Sequence, residues 1–143
     1  MTLAVGFAKA LEWYLENRDR LQKQYSNFRK KVLGRIKTID GFFLNTDLDH
    51  SLQHTFNFGL SGISAESLLI SLDLDGVAVS TGSACSSGAM EASHVLLAMG
   101  RSRAEAKSSL RVSWGWSTTE DEIDYFLERL IHHFQRLQNK QAN

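Results

Sequence analysis

The only cysteine of the chain stands in a run of very small residues. Cys85 lies within the segment Ser80-Thr-Gly-Ser-Ala-Cys-Ser-Ser-Gly-Ala89. A lone cysteine is more often a buried apolar residue than a nucleophile. Glycine and serine on both sides cannot build a core around a thiol, however, and they favour a mobile loop that solvent reaches. The segment therefore predicts a reactive thiol, with a reach of up to ~20 Å from Val79 if the loop extends fully.

Nothing inside this loop would activate the thiol. The segment contains no lysine, arginine or histidine, and His94 is nine positions from Cys85, at the start of the next predicted helix. A thiol with an ordinary pKa of about 8.5 is only a few per cent thiolate at neutral pH. We therefore expect activation to come from a bound substrate or from another segment of polypeptide.

A second residue suited to chemistry is Arg111. The segment Leu110-Arg-Val-Ser-Trp114 alternates strictly, which is typical of a half-buried strand with Arg111 on its polar face. A guanidinium held by a rigid strand suits two-point recognition of a carboxylate. The alternative is an ordinary exposed strand arginine, and the pattern alone favours neither interpretation.

Other kinds of site find less support in the sequence. His132 and His133 are neighbours on a predicted helix, where their side chains diverge by about 100°, and His50 and His54 have no third ligand nearby, so we expect no metal site. Sixteen basic and sixteen acidic residues cancel, so we expect no nucleic-acid partner. No apolar run is long enough to predict a membrane span.

The local patterns place these residues in a single domain, residues 1–143, of α/β class (an α+β two-layer arrangement). We predict a short, mostly antiparallel sheet with helices on one face and a long N-terminal helix. The predicted helices are Leu3–Val32, one capped by Ser64 that runs through Leu74, two short ones capped by Ser93 and Ser102, and one that follows Thr119. The predicted strands are 41–45, 54–60, Val77–Val79 and 110–114.

The first helix carries an apolar stripe along most of its length. Its positions include Phe7, Leu11, Tyr14 and Leu21, and only Arg18 interrupts them. One interpretation is a coiled-coil seam; the favoured one is a helix laid across its own domain and a neighbour, because the repeat does not continue. Without that neighbour we expect either self-association through Phe7, Leu11 and Tyr14, and hence a homo-oligomer, or aggregation.

Four ordered segments resemble the cysteine desulfurases of the nitrogen-fixation and iron–sulfur-cluster type, within the class V aminotransferases. They are Ser80 to Gly88 with the following Met90-Glu-Ala-Ser-His-Val-Leu-Leu-Ala-Met-Gly100, then Ser109-Leu-Arg-Val-Ser-Trp-Gly115, then Thr118-Thr-Glu-Asp-Glu-Ile-Asp124, and the opening Val5-Gly-Phe-Ala-Lys-Ala10. The resemblance covers nearly the whole chain. It implies the small C-terminal domain of a fold-type I transferase that uses pyridoxal phosphate.

The resemblance also implies roles for the two candidate residues. Arg111 would bind the carboxylate of L-cysteine, and Cys85 would hold the sulfur as a persulfide while L-alanine leaves. The sulfur would then pass to an iron–sulfur scaffold or another acceptor protein. A single cysteine and the absence of a signal-like start fit a cytoplasmic protein.

The chain departs from the family pattern in ways that limit these expectations. It has no Ser-x-His-Lys segment to hold pyridoxal phosphate, so we expect no bound cofactor and no activity without the absent large domain. The chain would then be a gene fragment or truncated form that begins inside the enzyme. Ala92 and His54 replace a proline and an asparagine that are common in the family. The alternative function is a non-catalytic carrier of persulfide or a module that binds the acceptor; a weaker one is a related substrate such as selenocysteine.

Overall fold

A computed structural model describes residues 2–82 and 91–141, with side chains up to 140. Cys85 therefore lies outside the described residues. Within these described residues, five helices and four strands follow one another in the order α1 (Thr2–Ile36), β1 (Phe42–Leu44), β2 (Thr55–Leu60), α2 (Ala65–Leu74), β3 (Ser80–Thr81), α3 (His94–Ala98), α4 (Arg103–Lys107), β4 (Ser109–Ser113) and α5 (Glu120–Gln141).

The strands form one sheet in the order β1-β2-β4-β3, and all three neighbouring pairs are antiparallel. Alternate residues of β2 and β4, namely Phe56, Phe58, Leu110 and Val112, enter the hydrophobic core. There they join apolar residues from three helices: Phe28, Val32 and Ile36 of α1, Leu68 and Leu72 of α2, and Ile123, Phe126, Leu127, Leu130 and Phe134 of α5. The predicted fold class is confirmed.

One predicted strand is wrong. Residues 77–79 have no ladder partner in the part of the chain that the structure describes, and the strand that joins β4 is instead Ser80–Thr81. Gly76 ends α2 with a φ of 78°, and the Val77 amide turns back to donate to the Leu72 carbonyl. Val77 and Val79 pack against the core, but their backbone has not yet reached the sheet. The apolar pattern of residues 77–79 therefore reflects side chains that pack on the core, and it does not indicate strand pairing.

The predicted helix caps are confirmed. Ser64 and Ser93 accept from the amides of Ser67 and Leu96, and Ser102 forms a reciprocal capping box with Glu105. Thr119 Oγ1 likewise accepts from the Glu122 amide, while a Glu122 carboxylate oxygen accepts from the Thr119 amide. Each arrangement satisfies amides that a helix leaves without partners.

A buried arginine fixes the segment between β1 and β2. Arg29 of α1 is only 5% exposed, and its guanidinium donates to the carbonyls of Leu48, Leu52 and Thr55. Burial lowers the pKa of Arg29. These contacts tie the entry of β2 to the core side of α1, and they set where the polar residues of β2 stand.

Helix α1 is partnered along only part of its length. Its buried residues begin at Leu21, whereas Phe7, Leu11 and Tyr14 on the same stripe are exposed. Trp13 packs edge-on against Trp116, with ring centroids 5.6 Å apart. None of the described helices combines the length and apolarity that a membrane crossing requires.

Candidate functional site

Arg111 projects from the sheet face opposite the core residues of β4. Leu110 and Val112 are buried, whereas Arg111 and Ser113 are exposed, as the alternating sequence predicts. The side chain is fixed at its tip, because Arg111 Nη2 donates to Ser80 Oγ across 3.2 Å. The remaining guanidinium N–H groups of Arg111 stay available to an acceptor. A strand-held arginine of this kind can bind a carboxylate.

The strand that pairs with β4 at this point leads toward the cysteine segment. Ser80 stands opposite Arg111, and Thr81 stands opposite Leu110. Ser80 Oγ accepts from Arg111 and is 3.1 Å from the Thr81 carbonyl, to which it donates. The described chain then reaches Gly82, three residues before Cys85.

The two ends of the segment that contains Cys85 touch each other. A Cβ atom on Gly82 would lie 2.5 Å from Ser93 Cβ and 2.9 Å from Ser93 Oγ, closer than real side chains approach. Thr81 and Ser93 are both buried beside this contact. Glycine at position 82 is thus what lets the end of β3 and the start of α3 meet.

A row of polar side chains crosses the sheet next to Arg111. Asn57 of β2 is the register partner of Arg111, and Asn45, just after β1, lies beyond it. Asn45 Nδ2 donates to Asn57 Oδ1 at 2.8 Å and to Ser109 Oγ at 2.9 Å. Ser109 Oγ in turn donates to the Glu105 carbonyl at 2.7 Å. The row therefore runs Asn45, Asn57, Arg111, Ser80.

Sequence reasoning did not single out Asn45, Asn57 or Ser80 as site residues. Polar and apolar residues alternate around Asn57, which stands between Phe56 and Phe58, and this alternation predicts that Asn57 lies on the polar face of its strand. Its position beside Arg111 depends on the register between two strands about fifty residues apart, which no local pattern specifies. The sequence places Ser80 in the cysteine-containing loop, because it predicts the neighbouring strand three residues earlier, at Val77–Val79.

The lysines of this chain do not form a site for pyridoxal phosphate. The family resemblance implies a Schiff-base lysine, which must lose its proton to react. Lys31, the one lysine that is not exposed, donates to Asp124 at 2.7 Å, and this hydrogen bond raises its pKa. The others are exposed on helices or turns. Among residues 2–82 and 91–140, no lysine is therefore held in a buried position that would prepare its amine for such a bond.

His133 forms a structural contact between two helices. His133 Nε2 lies 2.7 Å from Asp75 Oδ2, which joins α5 to the end of α2. The hydrogen bond from His133 lowers the pKa of Asp75. Across residues 2–82 and 91–141, no group of three or more histidine, cysteine, aspartate or glutamate side chains stands close enough to hold a metal ion.

Comparison with known proteins gives one consistent answer. The class-V aminotransferase family model matches residues 1–126. The chain is similar to cysteine desulfurase IscS of Clostridium botulinum, 41% identical over 129 residues, which cover 88% of this chain and 32% of the relative. It is also similar to the putative cysteine desulfurase IscS 1 of Bacillus subtilis, 38% identical over 121 residues, which cover 83% of this chain and 32% of the relative.

A solved structure shows the same relationship. A NifS-like protein matches with a TM-score of 0.81 and 30% identity, over 93% of this chain and 33% of its own. The chain thus spans about a third of the length of the relatives it matches. The chain belongs to the class-V aminotransferase family, and within that family its likeness is to the cysteine desulfurases of the IscS and NifS type.

Proposed function

We propose that this domain, residues 1–143, is the C-terminal part of a cysteine desulfurase, which takes sulfur from L-cysteine for iron–sulfur cluster assembly. In this proposal Arg111 binds the carboxylate of L-cysteine and Cys85 receives the sulfur. The names of the relatives support the reaction. The observation that carries the proposal is the pairing of β3 with β4, which sets the chain that leads to Cys85 against the strand that holds Arg111.

The fixed position of Gly82 supports a short working distance for the thiol. Cys85 is the third residue after Gly82, so the Cα atom of Cys85 would lie within about 10 Å of that anchor. This is half the reach that an anchor at Val79 would allow. Because Ser80 pairs with Arg111 two residues earlier, a substrate whose carboxylate rests on Arg111 would be near the thiol.

In the proposed transfer, atoms and electrons are conserved between L-cysteine and Cys85. The Cys85 thiolate forms a bond to the sulfur of L-cysteine while the carbon–sulfur bond of the substrate breaks. The electron pair of the broken bond stays on the substrate carbon, which takes up a proton. L-Alanine leaves, and Cys85 holds the sulfur as a persulfide that an iron–sulfur scaffold or another acceptor protein would collect.

The cofactor would come from outside this chain. Pyridoxal phosphate supplies the electron sink for such a reaction, and the lysines described above provide no anchor for it. We therefore propose that the chain is inactive by itself with L-cysteine and that a large domain completes the site. The exposed stripe of Phe7, Leu11 and Tyr14 supports self-association when that surface is uncovered. The single cysteine supports a cytoplasmic location.

The alternative function rests on the same absence of a suitable lysine. Without its own cofactor site, the domain would act as a carrier that accepts persulfide on Cys85 or as a module that binds the acceptor. Incubation with a small-molecule persulfide donor tests the carrier: intact-mass analysis should show the gain of one sulfur atom, and Cys85→Ser should show none.

A hybrid enzyme tests the main proposal. In the hybrid, this chain replaces the matching third of the Clostridium botulinum relative, and cofactor loading is followed by absorbance. We expect L-alanine release from L-cysteine and a persulfide on Cys85, and a Cys85→Ser hybrid should load the cofactor but form neither product at a comparable rate. A loaded hybrid with Cys85 intact that releases no alanine would contradict the proposal, as would alanine release by this chain with L-cysteine and pyridoxal phosphate alone.

A further inference from the structure

We infer that Asn57 donates a hydrogen bond to the same carboxylate that Arg111 binds. This inference rests on the proposed role of Arg111 and adds a second recognition residue to it. The two side chains stand on neighbouring strands, on the sheet face that does not enter the core.

The strand register brings these two side chains close together. The Asn57 carbonyl accepts from the amides of Asn45 and Thr46, and the Asn57 amide donates to Thr46 Oγ1 at 2.6 Å. The backbone polar groups of Asn57 therefore point toward β1 and away from β4. Asn57 and Arg111 consequently form a non-hydrogen-bonded pair, the arrangement in which opposed Cα atoms come within about 4.5 Å and side chains are nearest.

Hydrogen-bond polarity fixes which end of the Asn57 amide faces outward. Ser109 is 1% exposed and gives its hydroxyl proton to the Glu105 carbonyl, so its oxygen accepts from Asn45. That requirement turns the Asn45 NH₂ group toward Ser109 and Asn57. Asn57 must then present its oxygen to Asn45, at 2.8 Å. Its own NH₂ group is left directed away from Asn45, and no described residue accepts from it.

The hydrogen-bond direction of Ser80, on the β3 side of Arg111, is fixed as well. Ser80 Oγ gives its proton to the Thr81 carbonyl and accepts from Arg111 Nη2. Ser80 therefore offers no free donor, and it restrains the guanidinium from the β3 side. At the centre of the row, the donors without an acceptor among the described residues are the other N–H groups of Arg111 and the NH₂ group of Asn57.

This arrangement selects an acceptor with two oxygens. Arginine alone attracts carboxylates and phosphates alike, whereas a guanidinium beside a fixed amide matches a flat carboxylate with two separate acceptors. An amino-acid amide has an NH₂ group in place of one carboxylate oxygen, so it would set a hydrogen-bond donor opposite the donors of Arg111 and Asn57. The site would reject such a molecule, because its own polar groups would stay unpaired. Asn57 would therefore sharpen the preference for a free α-carboxylate.

Side-chain NMR of the full ¹⁵N-labelled chain tests the inference directly. L-Alanine serves as the probe because it keeps the α-carboxylate of L-cysteine without the thiol, and L-alaninamide is the matched probe without the carboxylate. We expect the Arg111 Nε–H signal and the Asn57 Nδ2 pair to shift with one common Kd for L-alanine, and neither to shift with L-alaninamide. Asn57→Ala should weaken L-alanine binding about three- to tenfold. The matched variant is Thr55→Ala, on the same face but bonded to Ser113, and it should leave the affinity unchanged.

The outcomes separate the two levels of the proposal. A shift at Arg111 without one at Asn57 would overturn the role of Asn57 and leave that of Arg111 in place. A shift at neither side chain would overturn both. Equal weakening by Asn57→Ala and Thr55→Ala would show that Asn57 acts only through the stability of the sheet face, and this too would overturn the inference.

Discussion

The two faces of the sheet place residues of one short strand in opposite environments. On one face, Phe58 and Leu110 are almost completely buried against α1, α2 and α5. On the other face, the next residue along each strand is more accessible: Asn57 is partly exposed and Arg111 is exposed, and their side chains form hydrogen bonds with Asn45 and Ser80. The apolar face stabilises the fold, whereas the opposite face keeps Arg111 exposed, as the proposed carboxylate site requires.

A similar contrast runs along α1. The stripe beyond Leu21 packs into the core, whereas the same stripe before Leu21 is exposed, with Phe7 74% accessible. These exposed apolar residues are the ones that the proposed self-association would cover. In the sheet and in α1 alike, the residues that lie outside the core are those expected to contact a ligand or another protein surface.

The sharpest test of the two-face contrast compares Phe58→Ala with Arg111→Ala. Phe58 is fully buried, so we expect its loss to lower the free energy of unfolding by about 3–5 kcal/mol. Arg111→Ala should cost less than about 1 kcal/mol, because the side chain is exposed and its one hydrogen bond, to the Ser80 hydroxyl, is exposed too. Urea denaturation followed by circular dichroism measures both. Similar losses for the two variants would mean that the polar face also supports the fold.

The next largest effect is expected at Arg29, which anchors the entry to β2 from which both faces begin. Arg29→Met keeps much of the side-chain bulk but leaves the carbonyls of Leu48, Leu52 and Thr55 without their donor. We expect a loss of about 2–3 kcal/mol in the same denaturation experiment. The exposed Arg35, on the same helix, provides the control, and Arg35→Met should change stability by less than about 0.5 kcal/mol. Equal effects of the two substitutions would refute the anchoring role.

A smaller effect is expected at the cap of α4, which supports the polar face through Glu105 and Ser109. Ser102→Ala removes the capping hydroxyl and should lower the free energy of unfolding by about 1 kcal/mol. Ser117→Ala, at an exposed turn position, is the matched change and should have almost no effect. If the cap matters to the polar row, hydrogen exchange at Asn45 and Ser109 should also become faster in the Ser102 variant alone.

The smallest effect concerns acid sensitivity on the helical layer that covers the apolar face. The hydrogen bond from His133 lowers the pKa of Asp75 in the folded protein, with further lowering by the charge of Arg129. A carboxyl with a lowered folded-state pKa contributes stability above its unfolded value of about 3.9, and this contribution disappears as the pH falls through the folded-state value. The stability difference between the chain and Asp75→Asn should therefore be present at pH 6 and shrink toward pH 3. A difference that does not change with pH would contradict the role of the Asp75 charge.

The sequence predicted those features that depend on neighbouring residues. The alternation around Arg111 predicted its strand and its face, and serine or threonine followed by glutamate three positions later predicted the caps of α4 and α5. The predicted position of β3 is wrong, because Val77 and Val79 can pack their side chains against the core without pairing in the sheet. The polar row was not predicted, since it is assembled by pairing between strands that are distant in sequence, and by an amide orientation that Ser109 determines.

One measurement tests directly whether a carboxylate on the Arg111 face lies within reach of the thiol. Cys85 is the only cysteine, so its alkylation by iodoacetate, which carries a carboxylate, can be compared with alkylation by neutral iodoacetamide through intact mass. We expect Arg111→Ala to lower the iodoacetate-to-iodoacetamide rate ratio about three- to fivefold, a size typical of one exposed charge interaction, while Arg103→Ala, on α4, leaves it unchanged. An unchanged ratio in the Arg111 variant, or an equal fall in both variants, would contradict the proposal that Arg111 and Cys85 form one site.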